Sequence, residues 1–174
     1  MTNPEETLKN LFSKLELWMI KPLRADVRKH TTRNHFIPFV VFSILIDNMA
    51  SIRYLGEFPD TPGNSNVGKR YRKFIKEYMP AKYKKQRHPL YEGFRCKLVH
   101  KFQLDSFDIG QSPASRKHHL EKVNNGNTFL HSQEFLKDLI IGFKKLKKDM
   151  VGPKAKAEIV NSFAASDYRT WTHG

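Results

Sequence analysis

The chain has 174 residues, 39% of them hydrophobic and 28% charged, which excludes a disordered composition and suits one domain with an ordinary core. Lys and Arg number 31 against 17 Asp and Glu, a formal charge of +14, so polyanions are the natural partners, nucleic acid or a nucleotide first and an anionic surface second. A single cysteine, Cys96, excludes an intrachain disulfide and with it a stapled secreted framework.

The start, Met1-Thr2-Asn3-Pro4-Glu5-Glu6, is acidic and lacks the basic and apolar regions of a leader. The most apolar run, Phe36 to Ile46, is shorter than the ~20 residues of a spanning helix. The expectation is a cytoplasmic protein with no membrane segment.

Pro4 with Glu5 and Glu6 reads as a helix start, and Leu8, Leu11, Phe12, Leu15 and Trp18 continue it to about Ile20. Pro22 is expected to end or kink this helix, leaving the basic stretch from Lys21 to His35 as a loop or an extra turn. Phe36 to Leu55 reads as a buried central helix, and Glu57 to Asn66, with Pro59, Pro62 and Gly63, as a loop.

Val67 to Met79 places Val67, Tyr71, Phe74, Ile75 and Tyr78 on one face, and Pro80 closes it. Lys82 to Arg87 is a basic connection, and Pro89 opens a helix that runs to about Lys101. Leu104 to Ser115 reads as a loop. Asn124-Asn125-Gly126-Asn127 between two short apolar-bearing runs predicts a β-hairpin over residues 120–131. Gln133 to Met150 is an amphipathic helix, and residues 154–174 add a short helix around Ala155 to Ala165 and a frayed tail. The expected architecture is a single all-α bundle of about five helices with that one hairpin.

Chemistry concentrates on the helix that Pro89 opens. Arg95 supplies a planar phosphate fork, and His100 a proton acceptor that works near neutral pH. Five residues apart, they lie about 140° apart around an α-helix, so spacing alone puts them on different faces. A shared cleft would then need a second copy of the helix alongside. Read without other information, the pair is a surface ion-pair Arg and a capping His.

The stretch LYEGFRCKLVHKF, Leu90 to Phe102, resembles the signature helix of the HEPN superfamily (higher eukaryotes and prokaryotes nucleotide-binding domains), whose ribonucleases carry Arg and His separated by four to six residues. Tyr91 before the motif and Leu98-Val99-His100 at its end are similar too. The resemblance implies a helical bundle, usually a homodimer with motif helices facing each other. In active members it implies metal-independent RNA cleavage without a cofactor. Arg95 would hold the scissile phosphate and His100 would accept the ribose 2′-hydroxyl proton, leaving a 2′,3′-cyclic phosphate. Inactive members bind nucleotides or RNA, or scaffold a partner protein. Cys96 occupies a position where active members commonly carry Asn, Asp or His.

Other features are weighed beside this one. Cys96 and His100, at i and i+4, share a helix face, but no third partner or oxyanion motif accompanies them. The tract of Lys69, Arg70, Arg72, Lys73, Lys76, Lys84, Lys85 and Arg87, with Lys97 on the motif helix, is a candidate phosphate surface interleaved with aromatics. Asp47, at the end of the apolar run, needs a partner, either Arg95 or a helix-end cation. His118, His119 and His131 flank the expected hairpin with no cysteine among them and no metal-ligand spacing; they read as surface histidines, and no metal is expected.

Overall fold

The computed structural model describes residues 3–29, 36–101, 103–152 and 155–165. The first helix, α1 (Pro4–Leu15), is capped by Asn3, whose side chain accepts the Glu5 N–H at 2.9 Å. It does not stop at Pro22. A widened π turn over Glu16–Ile20 leads into α2 (Lys21–Lys29), with the Lys21 N–H bonded to the Glu16 carbonyl. The shift in hydrogen-bond register just before Pro22 absorbs the residue that cannot donate. The basic stretch expected to be a loop or an extra turn is therefore helical to Lys29, and its remainder lies outside the described residues.

The centre is α3 (Phe36–Tyr54), whose Phe39, Phe42, Leu45, Ile46 and Met49 are fully buried. It packs against α2, α4 (Val67–Tyr78), α7 (Ser132–Met150) and α8 (Ala157–Ala165). At 19 residues it outruns the apolar stretch ending at Ile46, and by length and composition alone it is the one described helix able to cross a membrane. Half of it is buried inside this protein, as a core helix requires. Phe39, Phe42, Phe94 and Phe135 form a ring cluster with centroids 5.3–6.4 Å apart that ties α3 to the motif helix and α7.

After α4 a 3₁₀ stretch, Ala81–Gln86, feeds the motif helix. That helix has three parts: α5 (Arg87–Pro89), a π segment (Leu90–Cys96) and α6 (Lys97–Lys101). Gly93, inside the π segment, lets the chain that follows the helix pass close by: its carbonyl accepts the Asp105 N–H at 3.0 Å.

The sheet is small and differs from the expected hairpin. β1 (Phe107–Gly110) and β2 (Thr128–His131) pair in parallel, with Phe107 opposite Thr128 and Gly110 opposite His131. The turn at Val123 to Asn127 does form, with Gly126 at φ 81° and an isolated antiparallel bridge between Lys122 and Thr128. Leu120 sits at φ 70°, which interrupts the extended arm before the turn, so β2 takes its continuous partner from the segment read as a loop. The fold is mainly helical with a small two-stranded sheet.

Candidate functional site

Arg95 leaves the last turn of the π segment and reaches two groups. Its Nε donates to Asp47 Oδ2 of α3 at 2.8 Å, and its Nη1 lies 3.2 Å from His100 Nε2. A guanidinium only donates, so His100 Nε2 is the acceptor and the ring proton sits on Nδ1. Helical spacing placed Arg95 and His100 on different faces; the structure corrects this, because the long Arg side chain, leaving an underwound segment, spans the offset within one chain.

The electrostatics of the pair are unequal. Burial raises the Asp47 carboxyl above its usual range, and the Arg95 guanidinium recovers only part of that shift. For Arg95, burial works against the charge, but Asp47 outweighs it and holds the guanidinium above its usual value. Arg95 and Asp47 are both partly exposed, so the ion pair opens to solvent on the side where His100 is exposed.

Beneath them lies a buried polar floor. Ser43 and Asp47, one turn apart on α3, and Tyr71 of α4 each bring a buried oxygen to it, Ser43 Oγ, Asp47 Oδ1 and Tyr71 Oη, with the Ser43 and Tyr71 hydroxyls facing each other. Burial pushes the Tyr71 hydroxyl well up, Asp47 adds to the shift, and Ser43 works against it. Ser43 was not a candidate from sequence. The signal was two polar residues at i and i+4, Ser43 inside the apolar run Phe36 to Ile46 and Asp47 directly after it.

Tyr91 closes one side. Its ring centroid is 5.9 Å from the Arg95 guanidinium carbon, 5.1 Å from that of Arg72 and 5.5 Å from the Tyr71 ring. It lies across α4 at Gly68, where an added Cβ would stand 2.6 Å from the ring. Its hydroxyl is raised by burial and by the neighbouring Cys96, which is half-buried.

Compared with known protein families, curated proteins and solved structures, the chain matches none. The reading of the site rests on its own residues.

The basic tract does not form one surface around Arg95. Arg70 turns inward: it is 2% exposed, bonds Asp60 with both terminal nitrogens at 2.8 and 3.1 Å, and donates to the Phe58 carbonyl. That arrangement removes it from any phosphate surface. Lys69 covers the Phe58 ring at 3.8 Å, and Lys73 pairs with Glu57. Arg72 alone of the α4 cations lies beside Tyr91, 3.9 Å from Glu92. Lys76, Lys84 and Lys85 are exposed, Arg87 bonds the Lys84 carbonyl at 3.0 Å, and Lys97 is half-exposed beside the Arg95 turn.

The histidines read as surface groups also need correction. His118 is exposed and meets Glu121 at 2.7 Å, but His119 and His131 are buried. Tyr83 donates to Asp138 at 2.9 Å and accepts from His119 Nε2 at 2.7 Å, while His119 Nδ1 accepts the His131 backbone N–H at 3.0 Å. Both His119 nitrogens are thus committed, and the ring is a structural strut. Burial lowers the His131 imidazole below its usual value.

Proposed function

We propose that this chain is an RNA-binding helical domain that cleaves RNA without a metal, with His100 as general base and Arg95 on the scissile phosphate. One observation carries the reading: Asp47, Arg95 and His100 meet in a single partly open cluster, with contacts of 2.8 and 3.2 Å. Asp47 holds Nε and so fixes the guanidinium plane. A phosphate accepting from Nη1 takes that donor off His100 and frees the Nε2 lone pair. Nε2 then takes the 2′-hydroxyl proton, the 2′-oxygen attacks phosphorus, and the P–O5′ bond breaks as the 5′-oxygen takes a proton from water, the imidazolium afterwards returning its proton to solvent. The products are a 2′,3′-cyclic phosphate and a 5′-hydroxyl. The resemblance of Leu90 to Phe102 to the HEPN signature helix and the +14 charge point the same way. A homodimer belongs to this reading, although the Arg–His pair closes within one chain.

The test is cleavage of a single-stranded RNA in EDTA by wild type and His100→Ala. The expected result is cleavage by wild type, cyclic-phosphate ends, and loss of at least about a hundredfold in rate for the variant. Equal rates would overturn the assignment.

A second reading is a non-catalytic RNA- or nucleotide-binding module. It is favoured by Cys96 after the motif Arg and by the way Arg95 is already satisfied by Asp47 and His100. Binding that weakens steeply with salt, with no cleavage by wild type, selects it.

A further inference from the structure

A groove of about 490 Å³ runs between α2 and α7, and its lining combines two chemistries. The first is aliphatic: Val27 of α2 with Leu136, Ile140 and Ile141 of α7. Val27 and Leu136 are buried in the floor, whereas Ile141 stands 47% exposed at the rim. Gln133 fastens the two walls, its Nε2 donating to the Val27 carbonyl at 3.3 Å. The second chemistry is cationic: Arg24 on α2, Lys137 and Lys144 on α7, and Arg116 of the 3₁₀ turn Pro113–His118. No carboxylate lines the groove. Arg116 and Lys137 share one acid outside it, Glu134, and Arg24 and Lys144 pair with no acid among the described residues. Empty, the groove holds like charges around aliphatic surface, and both are relieved by an anionic partner that brings aliphatic groups of its own.

We infer that this groove receives an acidic amphipathic helix of a partner protein, with aliphatic side chains on its inner face and Asp or Glu along its edges. The lining repeats as a helix does. Leu136 and Ile140 recur at i+4, and Lys137, Ile141 and Lys144 at i+4 and i+7, so aliphatic and cationic rows run side by side along α7. A helix laid in the groove presents matching rows of apolar and acidic side chains. From Gln133 to Lys144 the groove follows α7 for about 17 Å, room for three turns of such a helix. RNA answers only half of this lining. Its phosphates would meet the cations, but no aromatic ring lines the groove for its bases to stack on. A bilayer surface answers less, because Val27 and Leu136 are recessed between two helices. The inference does not depend on RNA cleavage, since neither Arg95 nor His100 lines the groove.

Fluorescence anisotropy with a designed peptide tests it. The probe is a labelled peptide of about 15 residues, long enough to hold a helix, with leucines at i, i+3, i+4 and i+7 and glutamates beside them. Its twin has the same composition in scrambled order. Wild type is expected to bind the probe at least about tenfold more tightly than the twin. Arg24→Glu and Lys144→Glu should each weaken that binding about tenfold, and Ile141→Asp at least as much, with unchanged far-UV circular dichroism. Combined in one chain, Arg24→Glu and Lys144→Glu should turn the preference toward a probe with lysines in place of its glutamates. Equal binding of probe and twin, rim variants that bind as wild type does, or no change of preference in the combined variant overturns the inference. So does displacement of the probe by oligouridylate, which would give the groove to RNA, or capture of phosphatidylglycerol vesicles that Ile141→Asp abolishes, which would give it to a membrane.

Discussion

Arg95 donates from Nε to Asp47 at 2.8 Å, and this bond joins the motif helix to α3 at the point where the motif helix is underwound. The contact leaves the terminal nitrogens to face His100, one of them at 3.2 Å. Under the proposed function Asp47 is a positioning residue: it would set the plane of a guanidinium whose other edge meets the phosphate.

Asp47→Asn should cut RNA cleavage about ten- to a hundredfold, equal to about 1.4–2.7 kcal/mol of barrier. Because burial already raises the Asp47 carboxyl, removing its charge should leave thermal stability nearly unchanged. Arg95→Lys should not rescue activity, since one ammonium cannot hold Asp47 and a phosphate with fixed geometry. Single-turnover rates with a melting curve for each variant separate the two effects. A full rate for Asp47→Asn removes the positioning role.

Asp138 anchors the strut formed by Tyr83, His119 and Lys82. Burial alone would raise its carboxyl, but the surrounding donors outweigh that and hold it below the usual range. Its contribution to stability is therefore complete above about pH 4, the unfolded value, and is lost as pH falls through the lower folded value. Asp138→Ala should cost about 3 kcal/mol at neutral pH and flatten the acid limb of stability against pH. Urea unfolding at a series of pH values measures both; an unchanged acid limb would be contrary to the prediction.

Gly93 is buried in the motif helix, and an added Cβ would press on the backbone carbonyl of Asp105, which has no flexible end to move aside. Gly93→Ala should destabilise by about 1–3 kcal/mol despite the usual helix preference for alanine. Gly63→Ala, in an open turn at φ 78°, is the control for backbone strain without a clash. Chemical denaturation of the two variants decides whether the close approach matters.

Arg70 and the exposed lysines should part company. Arg70→Gln removes the guanidinium donors from the Phe58 carbonyl and from Asp60 Oδ2, and should lower stability by about 2–3 kcal/mol with little change in the salt dependence of RNA binding. Lys84→Gln and Lys85→Gln should leave stability within about 0.5 kcal/mol while each lowers the salt slope by up to about 1. Binding isotherms at several salt concentrations read the slope. A slope that falls with Arg70→Gln would return that residue to the surface.

Much of the fold was legible from local pattern. Pro4 and Pro80 mark helix limits, and apolar periodicity marks α3, α4 and α7, because these depend on neighbours within a few residues; Pro89, read as opening the motif helix, instead lies inside its first turn, since the helix begins at Arg87. Arg95, His100 and Asp47 were also readable as candidates, since an acid in an apolar helix and a motif cation need partners. Chain pattern did not reveal the continuation through Pro22, the parallel pairing of β1 with β2, or the burial of Arg70, His119 and His131. Each depends on a partner distant in sequence or on a shift in backbone hydrogen-bond register, and neither leaves a local period.

The sequence by itself determined that this is a basic, mainly helical chain with an Arg and a His five residues apart on one helix. Only the tertiary structure decided that the two side chains meet. Their 140° offset is closed by a π segment, by the reach of a long side chain, and by Asp47 on another helix, 48 positions earlier, which holds the guanidinium where His100 can find it.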